Sequence, residues 1–185
     1  MSASTDERAL ATFQAYLRLR TDHPSPDYSG VEPLLASYAA AAGFALRREE
    51  FVAGHPLFVL TWRGADAAAP SIVLLSHMDV VPVDAAKWSK DPWAGAREGG
   101  RVYGRGAQDM KCVGVQYLEA CSRLKAAGAA PLRTVHLLFV PDEEVGGSRG
   151  IKPLLSSALW AELNVGFLLD EGLASPSPAF SIFYG

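Results

Sequence analysis

The chain has 185 residues, 49% hydrophobic and 20% charged, with a formal net charge of -3. That size suits about one globular domain of roughly 100–200 residues. No block of Lys or Arg offers a field to nucleic acid or to an anionic membrane, and no apolar run reaches the roughly 18 residues that span a bilayer.

The first stretch, "MSASTDERALATFQAYLRLR", carries charges where a signal peptide needs an apolar core, so it reads as mature protein. Leu10, Phe13, Tyr16 and Leu17 recur at helical spacing and predict a helix over residues 6–20. "TDHPSPDYSG" stops it with two prolines and a glycine. A second helix is predicted from Val31 to Ala42, with Gly43 as its stop. "LFVLTW" and "SIVLLSH" read as strands. "QDMKCVGVQYLEACSRLKAAG" predicts a helix ending at Gly128, with Met110, Val113, Tyr117, Cys121 and Leu124 on one face. Cys112 and Cys121 lie too far apart on that helix to bridge, which makes a reducing, cytoplasmic setting the expectation. "RTVHLLFV" and "NVGFLLD" are further strands.

Helices alternating with strands that are apolar on both faces predict an α/β fold: a mixed, largely parallel sheet flanked by helices. The sequence stops at "PSPAFSIFYG", an apolar, β-prone run without a polar tail. Residues 1–185 are therefore expected to be the N-terminal part of a longer chain, with the fold incomplete.

The strand ends share a pattern. "SIVLLSHMD" ends in His77 and Asp79, "TVHLLFVPDEE" in Asp142, Glu143 and Glu144, and "NVGFLLDEG" in Asp170 and Glu171. In open α/β sheets ligands gather at the carboxyl ends of strands, so these groups are expected to share one cleft. Asp109, after "YGRGAQ", could join them, although alone it suits a helix start. Clustered carboxylates repel unless a cation compensates, and His with Asp and Glu suits zinc, or cobalt or manganese. His77 and Asp79, two apart in extended chain, face one side, so Asp79 is expected to accept a hydrogen bond from the imidazole nitrogen away from the metal. Adjacent Glu143 and Glu144 must point apart, one toward a metal and one toward water as general base. Asp170 and Glu171 are equal candidates as oxygen ligands.

Other conspicuous residues have plain readings: His136 as structural, His23 and His55 as structural or solvated, Trp88 and Trp93 as packing a loop, and Arg105 as a support for the Asp109 loop. "EEVGGSRG" has glycines but no phosphate-loop spacing.

Taken in order, "SHMDVVPVD", "YGRGAQDMKCVGVQYLEA", "FVPDEEVGG" and "LLDEG" resemble the successive signatures of the co-catalytic dinuclear zinc peptidase family, which includes glutamate carboxypeptidase, succinyl-diaminopimelate desuccinylase and the aminoacylases. The resemblance covers nearly the whole chain and is strongest to the aminoacylases, whose N-terminal pattern "YLRLRT...PSPDY" also fits. It implies His77 and Glu171 as ligands of one zinc, Asp109 as the bridge between two, Glu144 as a ligand of the second, Glu143 as general base and Asp79 as its partner in the catalytic set. It implies a cis peptide after Asp109 and a second-site histidine in a portion beyond residue 185. A lid domain would lie there too, with a homodimer as the assembled form. The implied activity is zinc-dependent hydrolysis of small N-acyl-L-amino acids, without nucleic-acid or membrane partners. The alternatives are a dipeptidase, carboxypeptidase or other deacylase on the same scaffold, and a catalytically incompetent binding or regulatory piece.

Overall fold

The computed structural model describes residues 5–172, so the "PSPAFSIFYG" run lies outside the described residues. Its elements are α1 (Thr5–Leu17), α2 (Val31–Ala42), β1 (Ala45–Glu50), β2 (Pro56–Trp62), β3 (Ser71–His77), β4 (Ala96–Glu98), β5 (Arg101–Tyr103), α3 (Lys111–Ala126), β6 (Val135–Val140), α4 (Ile151–Leu155), α5 (Ala158–Leu163) and β7 (Val165–Leu169). The five-stranded sheet has the order β1-β2-β6-β3-β7. β3 pairs in parallel with both β6 and β7, while β2 is antiparallel to its two neighbours. Every strand except β2 thus runs the same way, and the carboxyl ends of β6, β3 and β7 fall side by side on one edge. This is the expected mixed α/β sheet.

Burial on both faces follows from the alternation of side chains along each strand. Phe58, Leu60, Leu137 and Phe139 join Tyr16, Val31, Leu35 and Leu118 from α1, α2 and α3 in one core cluster. Leu57, Val59, Leu138 and Val140 point the other way and pack with Leu154, Leu159 and Leu163 from α4 and α5. Three layers result, with the near-continuous apolar runs of β2 and β6 in the middle.

Three departures from expectation have physical causes. α1 ends at Leu17 rather than near residue 20 because the chain then turns to pair Asp22 with Val80. β1 is the charged run "ALRREE" on the sheet's outer edge, where charge discourages further pairing. The buried face of α3 is Lys111, Gly114, Val115, Leu118 and Cys121, whereas Val113 and Tyr117 are only half-buried and Leu124 is 55% exposed. The expected face is therefore rotated, because contact with the sheet is made at a glycine that hydrophobic periodicity does not register. A Cβ on Gly114 would lie 2.8 Å from Ser76 Oγ and 2.9 Å from the Phe139 ring.

His136 is structural, as expected: it is buried in mid-strand, and its Nδ1 lies 3.0 Å from Thr61 Oγ1 on β2. Burial holds its pKa below the ordinary value, reinforced by Arg63 and only partly opposed by Glu162.

Two outcomes follow. Gly114→Leu should lower stability in urea denaturation by about 1–3 kcal/mol through overpacking, outweighing the ~1 kcal/mol that replacing a helical glycine can return. For His136 the unfolded imidazole takes up its proton first as pH falls, so its contribution is present above about 6.5 and lost below it. The stability lost between pH 7 and pH 5 should accordingly be smaller in His136→Gln than in the wild-type chain.

Candidate metal centre

The site begins where β3 ends. The His77 ring is 1% exposed, and its Nδ1 donates to the Asp79 backbone carbonyl at 2.9 Å. A carbonyl can only accept, so Nδ1 carries the proton and Nε2 faces the cleft. Around Nε2 stand Asp109 Oδ1 at 2.9 Å, Glu171 Oε1 at 3.7 Å and Glu143 Oε2 at 3.9 Å.

The expected hydrogen bond from the imidazole to the Asp79 carboxylate is not the one formed. The nearest carboxylate oxygen is 3.5 Å from Nδ1, too far for a good hydrogen bond, and the backbone carbonyl takes that role. The carboxylate, wholly buried, is occupied elsewhere. Its Oδ1 accepts the Glu143 N–H at 3.0 Å; its Oδ2 accepts the Glu144 N–H at 3.1 Å and lies 2.7 Å from His23 Nε2. Strand register explains this, because His77 pairs with Val140 and both strands leave the sheet together. The Pro141–Asp142 turn then swings the next two amides over Asp79.

That turn divides the three consecutive acids. Asp142 has φ 59°, in the left-handed region, and its buried carboxylate accepts the Arg149 N–H at 2.8 Å, inside the loop. Glu143 and Glu144 open a single 3-10 turn and face the cleft. Gly147, also at positive φ, returns its N–H to the Asp142 carbonyl at 2.7 Å.

Asp109 enters from the loop before α3, and the Asp109–Met110 peptide is cis. Met110 is buried, with Sδ accepting the His77 N–H at 3.2 Å. Next comes Lys111, fully buried, whose Nζ donates to the carbonyls of Tyr16 at 3.2 Å and Leu19 at 2.9 Å. Burial pulls its pKa down to about 7, against the attraction of Asp22 and Asp79. Asp170 stays out of the cluster: its Oδ1 accepts the Glu171 N–H and its carbonyl accepts the Tyr117 hydroxyl. Arg105 reaches Pro82 O and lies over Trp88, so its described contacts support the residue 82–88 loop rather than Asp109. His55 lies against Arg149.

His77 is common to two sets of metal-ligating atoms, each within 4.8 Å of one another: His77, Glu143 and Glu171, and His77, Asp109 and Glu144. The electrostatics are those of a cation site. Burial lowers the His77 pKa, but Asp79, Asp109 and Glu171 overcome it and raise the group to about 9. Burial and the Asp109 charge push Glu171 up to about 7, and the same two causes raise Glu144. Each of these carboxylates gains when a positive charge enters. One imidazole with surrounding carboxylate oxygens is a donor set that fits a divalent transition metal.

A mixed α/β sheet thus gathers a candidate metal-ligand cluster at adjacent strand ends. The chain belongs to peptidase family M20/M25/M40, whose family model matches residues 73–179. It is 49% identical over 177 residues to aminoacylase-1 of Sus scrofa, covering 95% of this chain and 44% of that protein. It is 45% identical to aminoacylase-1 of Homo sapiens, covering 95% and 43%. The chain thus spans less than half the length of these curated relatives. Among solved structures, the M20 family metallo-carboxypeptidase Sso-CP2 from Sulfolobus solfataricus shares the fold, with TM-score 0.77 and 23% identity over 89% of this chain and 37% of that one.

Sequence reasoning brought the cluster's residues to one cleft but missed two supports. From sequence His23 reads only as structural or solvated and Lys111 only as a helix position; their partners lie across long sequence separations that no local pattern carries.

With Zn2+ as the probe, calorimetric titration of the 185-residue chain should find at most one tightly held ion, because the described cluster contains a single imidazole. His77→Ala should abolish that binding.

Proposed function

We propose that the protein hydrolyses N-acyl-L-amino acids to a carboxylate and a free L-amino acid, and that residues 1–185 are the N-terminal part of its catalytic domain. The observation that carries the chemistry is the convergence of Asp109, Glu143, Glu144 and Glu171 around His77. The substrate class rests on the 49% identity to aminoacylase-1 over 95% of the chain.

His77 and Glu171 would hold one zinc, Glu144 the second, and Asp109 both, with the second site completed by a histidine from the remaining portion of the protein. Zinc bound there supplies Lewis acidity, polarising the amide carbonyl and lowering the pKa of water toward about 7. Glu143, about half-exposed beside the ligands, takes the proton of the attacking water. It returns that proton to the amine nitrogen as the carbon–nitrogen bond breaks, so the acyl carbon keeps the water oxygen and the amino acid leaves with its nitrogen protonated. Asp79 holds the backbone of base and ligand together, which fixes where Glu143 meets the water.

Within this reading Cys112 and Cys121, both free thiols, suit a cytoplasmic setting, and the full-length protein is a homodimer. Among the described residues no helix is long and apolar enough to cross a membrane.

In the full-length enzyme Glu143→Ala should nearly abolish hydrolysis of N-acetyl-L-methionine while zinc content by metal analysis is unchanged. Substantial residual turnover would remove Glu143 as base. Faster cleavage of dipeptides than of N-acetyl-L-methionine by the wild-type enzyme would replace the substrate class.

A further inference from the structure

We propose that His23 is a positioning residue for the metal centre: its ring fixes the Asp79 carboxylate, and through it the backbone of Glu143 and Glu144. The inference rests on the reading of the cluster as a metal site, and it starts from how residues 21–23 are placed. Thr21 Oγ1 donates to the Met78 carbonyl at 2.7 Å, Val80 N–H to the Thr21 carbonyl at 3.0 Å, and His23 N–H to the Val80 carbonyl at 3.2 Å. With Asp22 bridged to Val80, this segment lies along the exit of β3 residue by residue. The His23 ring sits in the buried space beside Asp79, where it is 8% exposed and the carboxylate 0%.

A carboxylate that takes two backbone N–H groups is ionised and can only accept, so His23 Nε2 is the donor in the 2.7 Å contact. The three donors are divided: Glu143 N on Oδ1, and Glu144 N with His23 Nε2 on Oδ2. The two amides approach from the turn after β6, and the ring comes from the segment after α1. Without the ring, Oδ2 keeps only the Glu144 N–H, and the carboxylate is oriented by the turn and by the His77 ring 3.5 Å away. With it the turn is referred to a third, independently anchored segment.

Comparing His23→Phe with His23→Gln separates this role from simple space filling, since Phe keeps the ring bulk without a donor and Gln keeps an N–H donor at similar reach. Amide hydrogen exchange of the isotopically labelled full-length protein is read at Glu143 and Glu144, against β3 and β6 amides in the same sample as the control for folding. Co2+ affinity is followed by its visible absorption. His23→Phe should speed exchange at Glu143 and Glu144 by about tenfold relative to the control amides, the scale of one lost hydrogen bond to a charged group. It should also weaken Co2+ binding by about 10–100-fold. His23→Gln should return both readouts toward wild type. Unchanged exchange ratios in His23→Phe would overturn the proposal, as would a Gln variant as impaired as Phe. If the full-length wild-type protein binds no Co2+, the metal reading falls by itself, and the exchange ratios decide the clamp.

Discussion

A carboxylate with no exposure to water is costly to bury unless its lone pairs are filled, and at Asp79 they are filled by groups from different parts of the chain. Burial pushes its pKa up, yet the His77 and His23 rings and the Glu143 N–H bring it below the ordinary carboxylate value. The ionised form is therefore the stable one, and it demands its donors. Through that demand β3, the turn after β6 and the segment after α1 are brought to a common point. The positions of a candidate ligand on β3 and of a candidate base and ligand in the turn after β6 are set by this interaction, with the parallel register of β3 and β6 beneath it.

Around this fixed centre the remaining acids are sorted by backbone geometry. Asp142 turns inward because the left-handed bend places its carboxylate on the Arg149 amide, and Asp170 folds back on the amide of Glu171. Those two carboxylates are engaged by backbone amides rather than by the cluster. Glu143, Glu144, Glu171 and Asp109 are left facing one imidazole, with mutual repulsion that a cation relieves.

The buried strands were legible in the sequence because β2, β3 and β6 are apolar runs with few alternatives, and their polar ends stand out against them. The residues of the cluster were legible for the same reason. β1 was not, because an edge strand made of Arg and Glu has no apolar signature. The orientation of α3 was lost because close packing at Gly114 looks, in one dimension, like a gap in the hydrophobic pattern. The acceptor of the His77 proton was assigned to the right residue but the wrong group, since alternation along a strand does not distinguish a side-chain oxygen from a main-chain one. His23 and Lys111 act across 56 and more than 90 positions, distances at which only the folded topology makes neighbours.

Lys111 carries a consequence for where this unit can be divided. Its ammonium replaces the water that would otherwise solvate the carbonyls of Tyr16 and Leu19 at the end of the first helix, and those carbonyls are its only described acceptors. Next to it in the chain stand Met110 and Asp109, which touch His77 directly. Trimming the chain back past α1 would remove those acceptors from Lys111, two residues from the cleft-facing Asp109. The minimal folding unit of this site thus reaches back to the first helix, although that helix contributes no ligand.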